Sequence, residues 1–161
     1  MPLPDVLEPK LKVVFCGTAV GRRSWRLRLW YADPRNQFWK VLYSVGLTPR
    51  LLTPEEYAEL PAFGVGLTDL ARRGVGPDRV IRRRYFRVDA LEQKIRRFAP
   101  QALAFNGKLA AKIFLDCRHV DYGRHTQSIG VTSIFVLPST SGAARGFWDD
   151  AYWFELAEFV A

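Results

Sequence analysis

Short runs of aliphatic and β-branched residues alternate along the chain with segments whose apolar positions recur every three or four residues. The apolar runs predict buried strands over residues 12–16, 102–105 and 133–137. The periodic segments predict helices over residues 36–45, 53–60, 89–98, 108–115 and 148–160. Strands that alternate with helices are typical of a parallel sheet covered on both faces. We therefore expect an α/β fold with three layers, α/β/α, around a short, mostly parallel central sheet.

Capping signals mark the starts of several predicted helices. The segment TPEE, which begins at Thr53, is a capping box with proline at the first helical position. Asp89, followed three residues later by Glu92, gives a similar signal. Asn106 directly follows the second predicted strand, and we expect it to cap the next helix.

Two of the predicted strands run directly into loops of small residues. These segments are VVFCGTAVG, residues 13–21, and IFVLPSTSGAAR, residues 134–145. In an open α/β sheet, ligands bind at the carboxyl ends of the strands, so we expect the two loops to form one cleft. Glycines allow close approach of the backbone to a ligand, and hydroxyls offer hydrogen bonds to phosphate or a base edge. The loops supply Gly17, Gly21 and Gly142 together with Thr18, Ser139, Thr140 and Ser141.

Length and hydropathy indicate one domain over residues 1–161. The chain is 48% hydrophobic, and no internal repeat or low-complexity run divides it. No apolar stretch approaches the roughly 18 residues of a membrane span, and the first residues lack the apolar run of a secretory signal. We expect a cytoplasmic protein without membrane contact.

The net charge and the spacing of the potential metal ligands indicate which kind of partner to expect. The two cysteines, Cys16 and Cys117, and the two histidines, His119 and His125, lack metal-ligand spacing, so we expect no metal and no cofactor. The formal charge of +8 rests mostly on arginine, whose planar side chain suits phosphate. Together with the predicted cleft, this charge favours a nucleic acid as partner.

The sequence resembles the mismatch-specific uracil/thymine DNA glycosylases in the two loop segments and in four further blocks. These blocks follow one another along the chain in the same order as in that family. The further blocks are YADPRNQFWKVLY, GVGLTDL, APQALAFNGKLAAKIF and IGVTSIFVLP, and the resemblance runs from about Leu11 to the final helix. It implies a uracil-DNA glycosylase-like fold. It also implies a monomer that acts on double-stranded DNA with a mismatched or damaged base and is thereby associated with the nucleoid. It also implies base flipping and hydrolysis of the glycosidic bond, which leaves an abasic site.

The resemblance also identifies a difference at the expected catalytic position. The uracil and thymine members have an asparagine two residues after the first loop's glycine, and this sequence has Ala19. Alanine cannot orient water, so the best catalytic candidate is Asp69, which the resemblance places on a loop facing the cleft. Asp69 also fits a turn cap or an ion pair with Arg72 or Arg73.

Two further catalytic candidates have simpler structural explanations. Asn106 follows a strand that ends at the expected active edge, but a helix cap explains it as well. Thr18 could support a water molecule through its hydroxyl, although a threonine in such a turn often bonds its own backbone. The loops contain no lysine that could form a Schiff base, which argues against lyase chemistry.

Tyr31 matches the position whose ring stacks on the extruded base in this family. The alternative is a core tyrosine with a satisfied hydroxyl. Base choice would depend on backbone groups near Cys16 and around Tyr31, so we expect a broad substrate range. The predicted base-binding residues are Cys16, Gly17, Ala19, Tyr31, Asn36 and Ser139.

The second loop aligns with the family's wedge, which fills the hole left by the flipped base. Ala143 stands where a bulky apolar residue is usual, so we expect stronger dependence on a weakened base pair. The predicted DNA contacts are Ser141, Gly142, Ala143, Ala144 and Arg145, with Arg82, Arg83 and Arg84 as a backbone-binding edge or a solvated surface. Two other functions stay open: a non-catalytic binder of damaged bases, and a small nucleotide-binding α/β protein.

Overall fold

A computed structural model describes residues 3–71 and 86–161 of the chain. The predicted contacts Arg82, Arg83 and Arg84 lie outside the described residues, as do Arg72 and Arg73. The strands are β1 (Val13–Gly17), β2 (Val65–Asp69), β3 (Ala102–Asn106), β4 (Gly123–Ile129) and β5 (Thr132–Leu137). The α-helices are α1 (Arg22–Leu27), α2 (Phe38–Ser44), α3 (Val88–Phe98), α4 (Lys108–Leu115) and α5 (Ala151–Val160). Two 3₁₀ segments, Pro54–Phe63 and Gly142–Phe147, complete these elements.

The described strands form one sheet in the order β2-β1-β3-β5-β4. β2, β1, β3 and β5 are parallel, and only β4 pairs antiparallel, with β5. The register sets Gly17 opposite Asp69 and Asn106 opposite Leu137, so the parallel strands end at nearly the same level. This arrangement confirms the expected mostly parallel α/β fold.

Side chains alternate between the two faces of the sheet and build a core on each. On one face, Phe15 packs with Phe38 of α2 and Trp153 of α5. On the other, Val14 belongs to the cluster that contains Leu91 of α3. Each face buries apolar area that drives folding at roughly 25 cal/mol per Å². The sheet is therefore the middle of three layers, as predicted.

Four helix starts differ from the predictions. The helix expected over residues 36–45 is α2, which begins at Phe38 and ends at Ser44. Asn106 does not cap α4, because it is the last residue of β3 and Gly107, with φ 110°, occupies the cap position. Asp89 lies inside the first turn of α3, which begins at Val88. The final helix begins at Ala151 instead of residue 148, because Trp148, which follows the 3₁₀ turn, has an extended backbone with φ −69° and ψ 128°.

The capping box at Thr53 is confirmed, although the segment it opens is a 3₁₀ helix. The Thr53 amide donates to Glu56 Oε1 at 3.0 Å. The segment passes Pro61 and ends at Phe63, three residues later than expected. No helix in the described ranges is long and apolar enough to cross a bilayer.

Candidate functional site

Polar groups lie at the carboxyl ends of three neighbouring strands. Asp69 ends β2, Gly17 ends β1 and Asn106 ends β3. Gly17, Asp69 and Asn106 each lie two residues after a strand residue of the α2 and α5 face, namely Phe15, Leu67 and Ala104, so they share that face. The strand register therefore brings together groups that are more than 30 residues apart in sequence.

Asp69 is a buried strand residue and not part of a loop, which corrects the sequence-based expectation. Its residue exposure is 4%. The ladder continues beyond it, because the Leu70 amide donates to the Gly17 carbonyl at 2.9 Å and the Ala71 amide to the Thr18 carbonyl at 2.7 Å. The backbone that carries the carboxylate is thus fixed by the sheet on both sides of Asp69.

Gly17 keeps open the space beside this carboxylate. A Cβ at Gly17 would lie 3.1 Å from Asp69 Oδ1 and 3.8 Å from the Tyr31 hydroxyl oxygen. The first distance is tighter than most real Cβ contacts, so even alanine would crowd the carboxylate. The two oxygens therefore border the same small volume above the Gly17 backbone.

Tyr31 enters the site from the segment before α2. Its φ is +49°, a left-handed conformation that costs energy for a residue with a bulky side chain. Its ring stacks on Phe38 with a centroid distance of 4.0 Å and an interplanar angle of 19°. Phe38 thus covers one face of the ring, and a base could stack only on the other.

The Tyr31 hydroxyl is buried, and no atom within residues 3–71 and 86–161 meets it with hydrogen-bond geometry. Burial raises the pKa of Tyr31 well above its ordinary value, and the Asp69 carboxylate raises it further, outweighing the nearby Asn106 amide, which lowers it. The phenol is therefore neutral at physiological pH. The Tyr31 ring packs against the core, as in the alternative of a core tyrosine, but within the described residues its hydroxyl has no partner of good geometry.

Asn106 holds the loop that follows β5. Its Nδ2 donates to Thr140 Oγ1 at 2.9 Å, and its Oδ1 accepts from the Thr140 amide at 3.0 Å. The Thr140 carbonyl accepts in turn from the Gln37 amide at 2.9 Å. The loop after β5 and the loop before α2 are thus joined at the carboxyl edge of the sheet.

Asn36 and the residues before it form a compact turn. The Arg35 side chain binds Asp33 and holds the pKa of that carboxyl at about 2. Asn36 Oδ1 accepts from the Phe38 amide at 3.0 Å, which fixes the start of α2. A Cβ at Gly142 would lie 2.9 Å from the Arg35 Cβ, so glycine allows the second loop to pack against this turn.

The predicted wedge forms the 3₁₀ turn Gly142–Phe147. Ser141 Oγ accepts from the Ala143 amide at 3.3 Å, and the Ser139 hydroxyl accepts from the Ser141 amide at 3.2 Å. Ala143 and Arg145 are exposed, whereas Ala144 is half-buried.

The first loop places its side chains in different surroundings. Cys16 is fully buried on the opposite face of the sheet, in the cluster that contains Leu70 and Phe105. Any contact of Cys16 with a base must therefore come from its backbone. Thr18 is buried and Ala19 is half-buried.

Two exposed features of the site's surroundings were missed in the sequence. Phe147, at the end of the 3₁₀ turn, is 75% exposed. The segment RRSWRLR, which forms α1 directly after the first loop, exposes Arg22, Arg23, Arg26 and Arg28. The density of arginine in that segment was the available signal, and it lies nearer to the first loop in sequence than residues 82–84.

The described residues contain no group of three or more His, Cys, Asp or Glu side chains arranged to hold a metal ion. The polar groups that the described residues bring to this edge are a carboxylate, a neutral phenol, an amide and hydroxyls. These groups can accept a proton, orient water and donate hydrogen bonds.

Comparisons with known proteins identify a family and a similar fold. The family model described as "Uracil DNA glycosylase superfamily" matches residues 4–157. The fold is similar to the solution NMR structure of a "putative Uracil DNA glycosylase" from Methanosarcina acetivorans, with a TM-score of 0.64 and 21% sequence identity. That similarity covers 98% of this chain and 94% of the other, and at this identity it concerns the fold.

Proposed function

The chain belongs to the uracil DNA glycosylase superfamily, and from this premise we propose that it removes uracil and related deaminated or alkylated bases from mismatched duplex DNA. The observation that carries the proposal is the buried Asp69 carboxylate beside Gly17, at the carboxyl edge of the sheet. Ligands of open α/β sheets bind at this edge. The proposed enzyme is a monomeric, monofunctional glycosylase of the cytoplasm that uses water and no cofactor.

Asp69 acts as the base and as the anion that stabilises the sugar. Its carboxylate accepts a proton from a water molecule, and the water oxygen forms a bond to C1′ of the deoxyribose. The bond between C1′ and the base nitrogen breaks, and its electron pair leaves with the base. A positioned acid or base is worth about 10²–10⁴ in rate. The positive charge that develops on the sugar lies beside a carboxylate held in a buried position.

The base stacks on the face of the Tyr31 ring that Phe38 leaves uncovered. Stacking on an aromatic ring is worth about 1–3 kcal/mol per base and does not depend on which base is present. Hydrogen bonds from the backbone after Cys16, from Gly17 and Ala19, and from the Asn36 and Ser139 region would orient the base. Such contacts accept several bases, which favours a broad substrate range.

Arginines around the site bind the DNA backbone. Five exposed arginines are close to the two loops in sequence: Arg22, Arg23, Arg26 and Arg28 follow the first loop, and Arg145 ends the second. Arginine suits phosphate because its planar fork donates two parallel hydrogen bonds. Arg82, Arg83 and Arg84 remain proposed members of the same surface.

The turn Gly142–Phe147 fills the hole that the flipped base leaves. Ala143 is too small to do this alone, and two neighbours can add bulk: Arg145, and the exposed aromatic ring of Phe147. Wedges of this kind are usually apolar. Opening a base pair costs a few kcal/mol and costs least at a mismatch.

A second candidate function is supported by Ala19, which has no polar side-chain atom. A protein without a group that orients water would bind damaged bases without cutting them. Measuring free base released from uracil-containing DNA distinguishes the two. The wild-type protein is incubated with duplexes containing uracil opposite guanine or adenine, and with the single strand. Release from the mismatched duplex supports the glycosylase, whereas selective binding without release supports the binder.

A further inference from the structure

We propose that Ser24 and Trp39 are positioning residues, whose side chains hold the backbone at Tyr31 and thereby set the orientation of the ring on which the flipped base stacks. This inference rests on the proposed function, in which Tyr31 stacks on the base, and names the groups that keep its ring in place. Both side chains are buried, so each acts through Tyr31 and not on the substrate.

The backbone of Tyr31 needs support, because its φ of +49° lies in the left-handed region. Bulky residues are disfavoured there, and such a conformation persists only where the surrounding contacts enforce it. A change in φ would move the ring from its stack on Phe38, where the centroids are 4.0 Å apart. The orientation of the stacking ring therefore depends on the groups that fix this backbone.

The indole of Trp39, on α2, binds the two carbonyls that flank the Cα of Tyr31. Its Nε1 donates a shared hydrogen bond to the carbonyl oxygens of Trp30 and Tyr31, each at 3.2 Å. Trp39 also packs edge-on against Phe38, with a centroid distance of 5.4 Å. One side chain thus contacts both the strained backbone of Tyr31 and the ring on which Tyr31 stacks.

Ser24, on α1, binds the next amide along the chain. Its Oγ accepts from the Ala32 amide at 2.9 Å. The Ala32 amide and the Tyr31 carbonyl belong to one peptide group, which α1 therefore holds from one side and α2 from the other. The Ser24 carbonyl also accepts from the Leu29 amide at 3.0 Å, which helps to bring the chain back from α1 towards Tyr31. Alanine would favour a helix more than serine does, so the bond to Ala32 accounts for a hydroxyl at this buried position.

The variants Ser24→Ala and Trp39→Phe each remove one of these holds. Dissociation constants are measured for two duplexes that differ at one nucleotide opposite guanine. One carries deoxyuridine with a 2′-fluorine that prevents cleavage, and the other carries a tetrahydrofuran abasic analogue, which has no base to stack. The ratio of the two constants measures what the base adds to affinity. The cost of opening the base pair belongs to the DNA and cancels between proteins.

A positioning role lowers only the contribution of the base, whereas a general loss of structure weakens binding to both duplexes. We expect each variant to reduce the contribution of the base about fivefold or more, since a base–aromatic stack is worth at least that much. Affinity for the abasic duplex should stay close to that of wild type. Ser44→Ala is the matched control, because it removes an exposed helix hydroxyl that donates to the Val41 carbonyl at 3.2 Å, and it should match wild type.

Hydrogen exchange of the Ala32 amide, followed by NMR, tests the contact without DNA. The amide should be protected in wild type and should exchange faster in Ser24→Ala, and rapid exchange in the folded wild type would overturn the inference. Unchanged ratios in both variants, or equal losses on both duplexes, would also overturn it, even if wild type releases uracil. The expected change in the ratio, in a protein that releases no uracil, would support the inference and count against the proposed glycosylase activity alone.

Discussion

Asn106 and Thr140 are joined by two reciprocal hydrogen bonds, although they are 34 residues apart. Nδ2 of Asn106 donates to Thr140 Oγ1, and the Thr140 amide donates to Asn106 Oδ1, at 2.9 and 3.0 Å. The pair connects the end of β3 to the loop after β5. The side chain considered as an alternative water activator thus has a second role, which is to position the predicted wedge.

Replacing Asn106 with alanine should destabilise the protein, because it leaves the fully buried Thr140 without these two bonds. We expect a loss of about 1–3 kcal/mol in the free energy of unfolding, measured with urea. Asn106→Asp should lose less, since a carboxylate can still accept from the Thr140 amide and hydroxyl. If Asn106 positions the loop and Asp69 activates water, base release by folded Asn106→Ala should remain well above that of Asp69→Asn. Equal losses would make Asn106 the water activator.

Tyr31 should make the wild-type protein less stable in alkali than Tyr31→Phe. The pKa of Tyr31 is raised in the folded state, so above the ordinary value near 10 the unfolded chain loses its proton first. Stability that is present below pH 10 is therefore lost as the pH rises further. Urea unfolding between pH 8 and 11 should show a steeper alkaline decline for wild type. The other tyrosines are common to both proteins and cancel, so parallel curves would contradict the assigned burial of the Tyr31 hydroxyl.

The arginines that follow the first loop, together with Arg145 in the second, should contribute affinity for DNA that does not depend on base sequence. Arg22→Ala, Arg23→Ala and Arg145→Ala should each weaken matched and damaged duplexes equally. Each should also make the slope of log affinity against log salt shallower by roughly one. Arg97→Ala is the control, because Arg97 is exposed near the end of α3, at the opposite edge of the sheet from the site. Unchanged affinities and slopes would identify these arginines as a solvated surface.

The size of the wedge should control the preference for a weakened base pair. Wild type should release uracil faster opposite guanine than opposite adenine, because a mismatch lowers the cost of extrusion. Ala143→Leu should narrow this ratio of single-turnover rates, and Phe147→Ala should widen it if Phe147 supplies bulk. A wild-type ratio near one, or ratios that both substitutions leave unchanged in folded proteins, would show that this turn does not control access to the base.

Local sequence was enough to predict the central strands and most helices. The strands predicted over residues 12–16 and 133–137 rest on the apolar runs 13–16 and 134–137, and the structure places β1 and β5 within one residue of the predicted bounds at each end. β4 was not predicted because it is a polar edge strand in which only the first and last residues are buried. β2 was not predicted, because the resemblance placed GVGLTDL on a loop and Gly66 and Thr68 interrupt the apolar pattern of that segment. Gly66 is needed there, since a Cβ would lie 2.6 Å from the Val6 carbonyl oxygen.

The surroundings of the site residues could not be predicted from local sequence, because they depend on contacts between residues that are distant along the chain. Asn106 has the ordinary position of a helix cap, and its bonds to Thr140 exist only because β3 and β5 are neighbours. The hydroxyl of Tyr31 reaches Gly17 because the left-handed backbone at Tyr31 and the stack on Phe38 direct it there. Asp69 was selected because Ala19 lacks polar atoms, but its burial follows from the pairing of β2 with β1.

The single-turnover rate of Asp69→Asn tests the central claim most directly. The variant is compared with wild type on a duplex containing uracil opposite guanine, at saturating enzyme, with exposed Asp116→Asn as the control. Asparagine keeps the size of the side chain but cannot take a proton from water. We predict that free uracil appears about 10²–10⁴ times more slowly, with DNA binding largely intact and Asp116→Asn like wild type. Uracil release by Asp69→Asn within a factor of a few of the wild-type rate would contradict the account.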